Sequence, residues 1–591
     1  MTEHTLWAFD IETYNWDTFI LGAAVSSSGE TRTFATGDEV SEWYRNLDSR
    51  DEVLAHYGGG FDFLYLISVT PDLTWTGNAA GSSLITCRAK GHALCRDTTR
   101  LFPMSLAKWT GRKTSTGLQC SRDGACKDAD CGGFKCRVSP SMPHADWRQL
   151  LEYCVNDCSI LLDTYIADVS RLNAEGFAMS SRGGIRSTLG SVAWATAAGM
   201  AGIDAAEPIE WGDYNAGRAG YYGGRVEVGR TRASSGYAYD VNAMYPWALT
   251  LPVPIGERRP TCGREARAAF AEMNPGIYHA TVAVPETDLP LLPHRYHGPS
   301  MDHGRIADDR LLWATGTISG AWSQIELAFA VEHGAVIQSL EYADVWPGEA
   351  PIFRPYVEHA YALRATAKRD GDPRWAAVLK WYANSLSGKL AQQPELTSII
   401  VCDPCEAGEG YEQVGPPDSR VHIRHSSKVS PCALTWCAAT LTARARVKLA
   451  SRLLRHTGRW LYCDTDSTYI MDVDSADVHD SKLGEWGYEG EISDWRALAP
   501  KLYRFKRGET DVVKARGVPR ATAKSFAALE AGETLTIESG VVGIRQNAGA
   551  FQRRVITRTH KDLANDRVGT RFERADGTTR PLHRTPDGVY R

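Results

Sequence analysis

No apolar run in this chain reaches the length of a membrane span. The most apolar stretch, Leu189 to Ile203, is rich in alanine and glycine and falls short of the roughly 20 residues that a spanning helix needs. The N-terminus carries no signal-peptide pattern. A soluble, intracellular protein that does not engage membranes is therefore expected. An excess of positive charge is missing too. The chain has 66 Lys and Arg against 71 Asp and Glu, a formal net charge of −5. That argues against a uniformly basic nucleic-acid binder, but whole-chain charge hides differences between domains. Residues 541–591 hold eleven Lys and Arg against five Asp and Glu, which suits either contact with a phosphate backbone or a plain basic tail. A phosphate-binding loop is absent, because Ser387-Gly388-Lys389 lacks the upstream glycines of that motif. This argues against an ATP-driven helicase. There is no internal repeat and no long low-complexity segment. With 591 residues and 43% hydrophobic content, the chain has material for several domains.

What is present is a set of carboxylates in ordered contexts. Residues 459–470 contain Tyr462-Cys463-Asp464-Thr465-Asp466-Ser467 between two apolar, β-prone stretches. The pattern predicts a tight turn between two strands with two carboxylates at its tip. Both ionise cheaply only with a cation between them, and hard oxygen ligands favour Mg²⁺ or Mn²⁺. An ordinary acidic turn is the plainer alternative. An EF-hand is excluded, since Tyr469 stands at the turn-glycine position and Ser475 at the twelfth. A second carboxylate, Asp240, ends a short aromatic strand and is followed by Val241 and by Tyr245-Pro246. A third block, Lys380 to Lys389, reads as a helix with Lys380, Asn384 and Ser387 on one face. A cation and an amide on one face suit a triphosphate and a template base.

These blocks, in this order, resemble motifs A, B and C of the family B DNA polymerases. The resemblance implies that Asp240 and Asp466, with Val241, hold two Mg²⁺ or Mn²⁺ ions for nucleotidyl transfer, and that Asp464 supports the primer end. It implies that Tyr245 lies under the deoxyribose, that Lys380 pairs with the incoming triphosphate, and that Asn384 and Gly388 lie along the nascent pair and template. Ser387 departs from the family, which usually has Tyr there, so base-pair checking at that position should differ.

The N-terminus has its own set. An apolar run ends in Asp10-Ile11-Glu12-Thr13, which puts both carboxylates on one face of a strand. Asp62 follows Phe61, and Tyr153 and Asp157 lie one helical turn apart. Taken singly, each is as readily a surface acid. Together they resemble the three motifs of DnaQ-like 3′–5′ proofreading exonucleases. The resemblance implies metal binding by Asp10, Glu12, Asp62 and Asp157, a water oriented by Tyr153, and single-strand contacts from Thr13 and Phe61. The family usually has Asn four or five residues before the second-motif Asp. Here those positions are Gly58 and Tyr57.

Tyr221-Tyr222-Gly223-Gly224 resembles the YxGG motif that passes primer between two active sites. Lys501-Leu502-Tyr503 resembles the KxY motif that steadies the primer, and Lys514 lies in a further family block. The gaps from Asp240 to Lys380 and from Gly388 to Asp464 are too long for simple connections. They match the insertions TPR1 and TPR2 of the protein-primed, phage phi-twenty-nine-like branch, and residues 396–425 read as a hairpin candidate with Gly-Glu-Gly and Gly-Pro-Pro near its turn. A multidomain α/β enzyme is thus expected. It would have an RNase H-like exonuclease domain at 1–185, palm at 186–255 and 432–535, TPR1 at 256–353, fingers at 354–391, TPR2 at 392–431 and thumb at 536–591. Implied partners are template-primer DNA, dNTPs, a terminal protein and a single-stranded DNA-binding protein, in the cytoplasm of a bacterial host. Two alternatives stand beside this: a primer-independent polymerase, and a silent DNA-binding replication factor, against which the intact carboxylates argue.

Cys120, Cys126, Cys131 and Cys136 cluster within an insertion at 118–138. In an intracellular protein they suit a structural Zn²⁺ rather than disulfides, or else are free thiols. Cys402-Asp403-Pro404-Cys405 is a weaker pair that, with Cys432 or His425, would be a metal site and otherwise a turn.

Overall fold

The computed structural model describes residues 4–112, 138–181, 184–296, 310–403, 406–415, 419–518, 521–541, 543–544, 551, 553–559, 571–585 and 590. Cys120, Cys126, Cys131, Cys136 and Cys405 lie outside these residues.

The strand Leu6–Tyr14 shows how the N-terminal half is layered. Trp7, Phe9 and Ile11 face one way, into a core with Phe34, Trp43 and Tyr44. Ala8 faces the other, into the core beneath the 31-residue helix His144–Ala174. Strand alternation therefore turns Asp10 and Glu12 toward that helix. Leu6–Tyr14 pairs antiparallel with Thr18–Ser26 and parallel with Glu52–Ala55, which pairs parallel with Leu94–Asp97. Antiparallel strands Ser83–Ala89 and Trp75–Ala80 extend the sheet.

The sheet does not end there. Glu395–Val401, more than 300 residues downstream, pairs antiparallel with Trp75–Ala80, and Val421–Ser427 completes a hairpin on its far side. Ile399, Val401, Val421 and Ile423 are buried in the same core as Trp75. The hairpin expected as an insertion in the polymerase half is thus built as an extension of the N-terminal sheet.

The second sheet carries seven antiparallel strands in the order Val226–Val228, Trp460–Asp464, Ser467–Ile470, Arg232–Val241, Trp486–Ala499, Leu502–Arg507 and Thr510–Ala515. The helix Thr435–Arg455 packs beside it, with Leu449 and Leu453 against Trp460. Two antiparallel helices, Arg354–Arg369 and Pro373–Leu390, form a hairpin. Its tip is fastened to the long N-terminal helix. Arg374 donates to both oxygens of the buried Asp168 at 2.6 and 3.0 Å, Arg171 donates to Asp372 at 2.9 Å, and the Trp375 indole donates to Glu175.

A third sheet orders Arg259–Cys262, Val336–Val345, Gly276–Val284, Thr315–Ser323 and, parallel to the last, His583–Arg584. The C-terminal residues therefore return to the body of the molecule. Arg571 is buried against Glu227 at 3.5 Å, Thr579 donates to the Val228 carbonyl, and Arg584 donates to the Thr317 carbonyl. Part of the C-terminal basic excess thus serves internal contacts rather than a free basic arm. Among the described residues, no helix is long and apolar enough to cross a membrane.

Candidate active sites

The carboxylates of the seven-stranded sheet meet at one end of three adjacent strands. Asp464 ends its strand, Thr465 and Asp466 form a two-residue turn, and Ser467 begins the next strand opposite Asp464. Thr465 takes φ 61°, which such a tight hairpin requires. Its N–H donates to the Arg225 carbonyl at 2.8 Å, and the Asp466 carbonyl accepts from the Val241 N–H at 2.7 Å. The turn is therefore tied to both neighbouring strands. Asp240 pairs in register with Ser467, which brings it beside Asp466. Burial first, then the Asp466 charge, pushes the Asp240 carboxyl up to about 7. Burial, then Asp464, raises Asp466 as well. The Val241 side chain is fully buried, so a ligand there would be its main-chain carbonyl.

Asp464 has a different setting. Lys501 Nζ donates to its two oxygens at 2.7 and 2.6 Å, and the Tyr462 hydroxyl lies 3.3 Å from Oδ2 and accepts the Lys501 N–H at 3.0 Å. Lys501 itself sits at φ 61°. Tyr503 is buried among Tyr462, Tyr469 and Trp495, so its ring packs beneath the site. Lys514 is exposed on the neighbouring strand.

Two elements close around this end. Lys380 is exposed on the helix Pro373–Leu390, and its charge lowers both Asp240 and Asp466. One turn on, Asn384 donates to the Lys380 carbonyl at 2.7 Å, and Ser387 donates to the Asn384 carbonyl at 3.0 Å. Gly388 is exposed, with open space where a Cβ would stand. Tyr245 is partly buried on the helix Met244–Leu249, and burial pushes its hydroxyl up to about 12. The Tyr221–Gly224 segment runs against the turn. A Cβ on Gly224 would meet Thr465 Oγ1 at 2.4 Å, whereas Gly223 faces open space. The Tyr221 carbonyl accepts from Arg295 at 2.7 Å.

The N-terminal carboxylates gather between the first strand and the long helix. Asp62 starts the helix Asp62–Ser68, is buried, and accepts the Ile11 N–H at 3.2 Å. Burial, opposed by that hydrogen bond and reinforced by the charges of Asp97 and Glu12, pushes it up to about 8. The strand register slips between Glu12 and Thr13, a kink of the kind that re-aims side chains beside sites. Tyr153 and Asp157 lie on the helix above, and Cys154, between them, donates to the Asp10 carbonyl and lies 3.6 Å from Asp10 Oδ2. Phe61 leads into Asp62, with the Trp16 ring 6.2 Å away.

Both donor sets fit a hard divalent cation, because buried, mutually repelling carboxylates pushed toward their neutral forms would be relieved by one. Among the described residues no three His, Cys, Asp or Glu side chains form a ready-made cage. Cys402 and Cys432 are both buried, and Cys432 contacts Gln392 and Ser430.

Three residue groups escaped the sequence reading. Arg364 and Lys368 share a face of the helix Arg354–Arg369, and the charges of Arg364 and Lys380 lower Lys368. The i, i+4 spacing was the available signal. Arg446, buried and bidentate to Glu326, donates to the Tyr222 and Gly223 carbonyls. Asp97, buried beside Asp62, carries no motif that marks it.

A family described as "DNA polymerase type B, organellar and viral" matches residues 142–415. The DNA-directed DNA polymerase of Enterobacteria phage PRD1 is 24% identical over 537 residues, covering 86% of this chain and 84% of the relative. A probable DNA polymerase of Neurospora intermedia is 24% identical over 51% of this chain, which spans only 33% of that relative's length. The structure of Phi29 DNA polymerase complexed with primer-template DNA superposes with a TM-score of 0.69 over 95% of this chain and all of that one, at 16% identity. At that identity the likeness is one of fold.

Proposed function

The chain belongs to the family B DNA polymerases, of the protein-primed type that phi29 and PRD1 represent, and on that premise we propose that it is a DNA-directed DNA polymerase with a 3′–5′ proofreading exonuclease. The single observation that supports this best is the meeting of Asp240 and Asp466 at one end of three strands, with Lys380 facing them.

In the proposed reaction a 3′-hydroxyl gives up its proton to solvent, its oxygen bonds to the α-phosphorus of a dNTP, the bond from that phosphorus to the bridging β-phosphate oxygen breaks, and pyrophosphate leaves with the electron pair. Divalent cations, Mg²⁺ or Mn²⁺, held by Asp240, Asp466 and the Val241 carbonyl would activate the hydroxyl and neutralise the leaving group. Lys380, Lys368 and Arg364 take up the triphosphate's charge. Tyr245 lies under the deoxyribose and excludes a 2′-hydroxyl. Asn384 and Gly388 line the nascent pair. Asp464 holds Lys501 at the primer end, and Tyr221, Gly223, Gly224, Tyr503 and Lys514 keep the primer strand in place. At the second centre Asp10, Glu12, Asp62 and Asp157 would hold the cations for hydrolysis, Tyr153 orients the attacking water, and Thr13 and Phe61 touch the frayed strand. The starting hydroxyl would come from a terminal protein, with a single-stranded DNA-binding protein as a further partner, in the cytoplasm of a bacterial host.

Primed and bare templates with labelled dNTPs and Mg²⁺ test this, with Asp466→Ala as control. Incorporation on the primed template alone supports a 3′-hydroxyl requirement. Control-sensitive product on the bare template favours the primer-independent alternative instead. No incorporation on either contradicts the proposal.

A further inference from the structure

The missing asparagine of the second exonuclease motif has a physical reason. A Cβ on Gly58 would stand 2.5 Å from the Ala55 Cβ and 2.9 Å from the Phe63 ring, and one on Gly59 would stand 1.9 Å from the Leu84 carbonyl oxygen. No amide side chain fits at position 58, and position 57 holds the exposed Tyr57 at φ 69°, so the amide grip that the family's asparagine gives a single strand is absent.

A different kind of grip lies beside Phe61. The turn joining Leu6–Tyr14 to Thr18–Ser26 holds Asn15 and Trp16 at φ 50° and 76°, a region that bulky residues enter only at a cost. That turn nevertheless presents Trp16 to solvent, 45% exposed. Its ring stands 84° from the plane of Phe61. Phe61 runs directly into Asp62, which is tied to Ile11 between Asp10 and Glu12. Folding gains little from a strained backbone and an exposed indole, so the arrangement calls for a ligand with a flat apolar face.

We propose that Trp16, paired with Phe61, is a stacking platform for the unpaired bases at the 3′ end of a DNA strand entering the exonuclease centre. The inference rests on the exonuclease reading above. Every base has a π-face, so stacking accepts any base, as a proofreading site must. It replaces by contact area what the crowded glycine turn denies to hydrogen bonding.

The test is binding of two end-labelled single-stranded oligonucleotides to the full chain, by fluorescence anisotropy in EDTA, where no hydrolysis occurs. One is ordinary and the other has abasic nucleotides at its 3′ end. Trp16→Gly relieves the φ strain, so the variant should melt no lower than the parent. It should weaken binding of the ordinary strand about tenfold and leave the abasic strand within twofold. Trp16→Phe should keep most of the affinity. With Mg²⁺ present, KM for trimming should rise in parallel while kcat stays within twofold. Unchanged affinity for the ordinary strand would overturn the proposal, and so would an equal loss on both strands. A parent protein that binds but never trims contradicts the exonuclease reading, separately from the stacking result.

Discussion

Asp240 contributes to how the metal-free protein responds to pH. Its carboxyl is held at about 7 in the folded chain against 3.8 ordinarily, so the folded state binds that proton more tightly than the unfolded one. The stability this contributes is fully present below pH 3.8 and is lost as pH rises through 7. Asp240→Asn removes the loss. In EDTA the variant should melt a few degrees above the parent at pH 8 and level with it at pH 4, and Mg²⁺ should narrow the gap at pH 8 by stabilising the parent. Thermal melts at the two pH values check this, and an equal gap at both would contradict it. At this scale the sequence was most legible. Asp240, Asp464 and Asp466 sit in short strings whose alternation and turn chemistry are local. The partnership of Asp464 with Lys501 was not legible, since 37 positions separate them and only strand pairing across the sheet brings them together.

At the scale of elements, the hairpin Glu395–Val401/Val421–Ser427 changes how the N-terminal domain is defined. Its apolar residues enter the core around Trp75, so part of that domain's stability is encoded within the polymerase half. Ile399 is 2% exposed, and Ile399→Ala should cost about 2–5 kcal/mol. Trimming of single-stranded DNA should then fail at lower urea than in the parent, although the substitution lies far from Asp10 in sequence. Unchanged urea dependence would show the hairpin to be an accessory rather than a shared wall. The strands of this hairpin were legible from composition. Its attachment to Trp75–Ala80 was not, because alternation fixes which face is buried but not which edge a strand finds. The helix Pro373–Leu390 was likewise legible as a helix. The pairing of Arg374 with Asp168 at its tip spans a separation of 206 positions and leaves no local trace.

For the whole molecule, the order of the motifs and the two long gaps pointed to the multidomain polymerase fold that the superposition on Phi29 DNA polymerase bears out. Return of the C-terminal residues to the seven-stranded and third sheets was not foreseen, because a run rich in arginine looks the same whether it meets phosphate or buried carboxylates such as Glu227. Two carboxylate centres, at separate places in the fold, should do separate chemistry. The most direct measurement assays primer extension and single-strand trimming side by side, with Mg²⁺, in Asp240→Ala, Asp466→Ala, Asp10→Ala and Glu12→Ala. The first two should lose extension by at least about a thousandfold and trim within a few-fold of the parent, and the last two should do the reverse. Loss of both activities in any one of these variants, with the protein still folded, would contradict the assignment of the two centres.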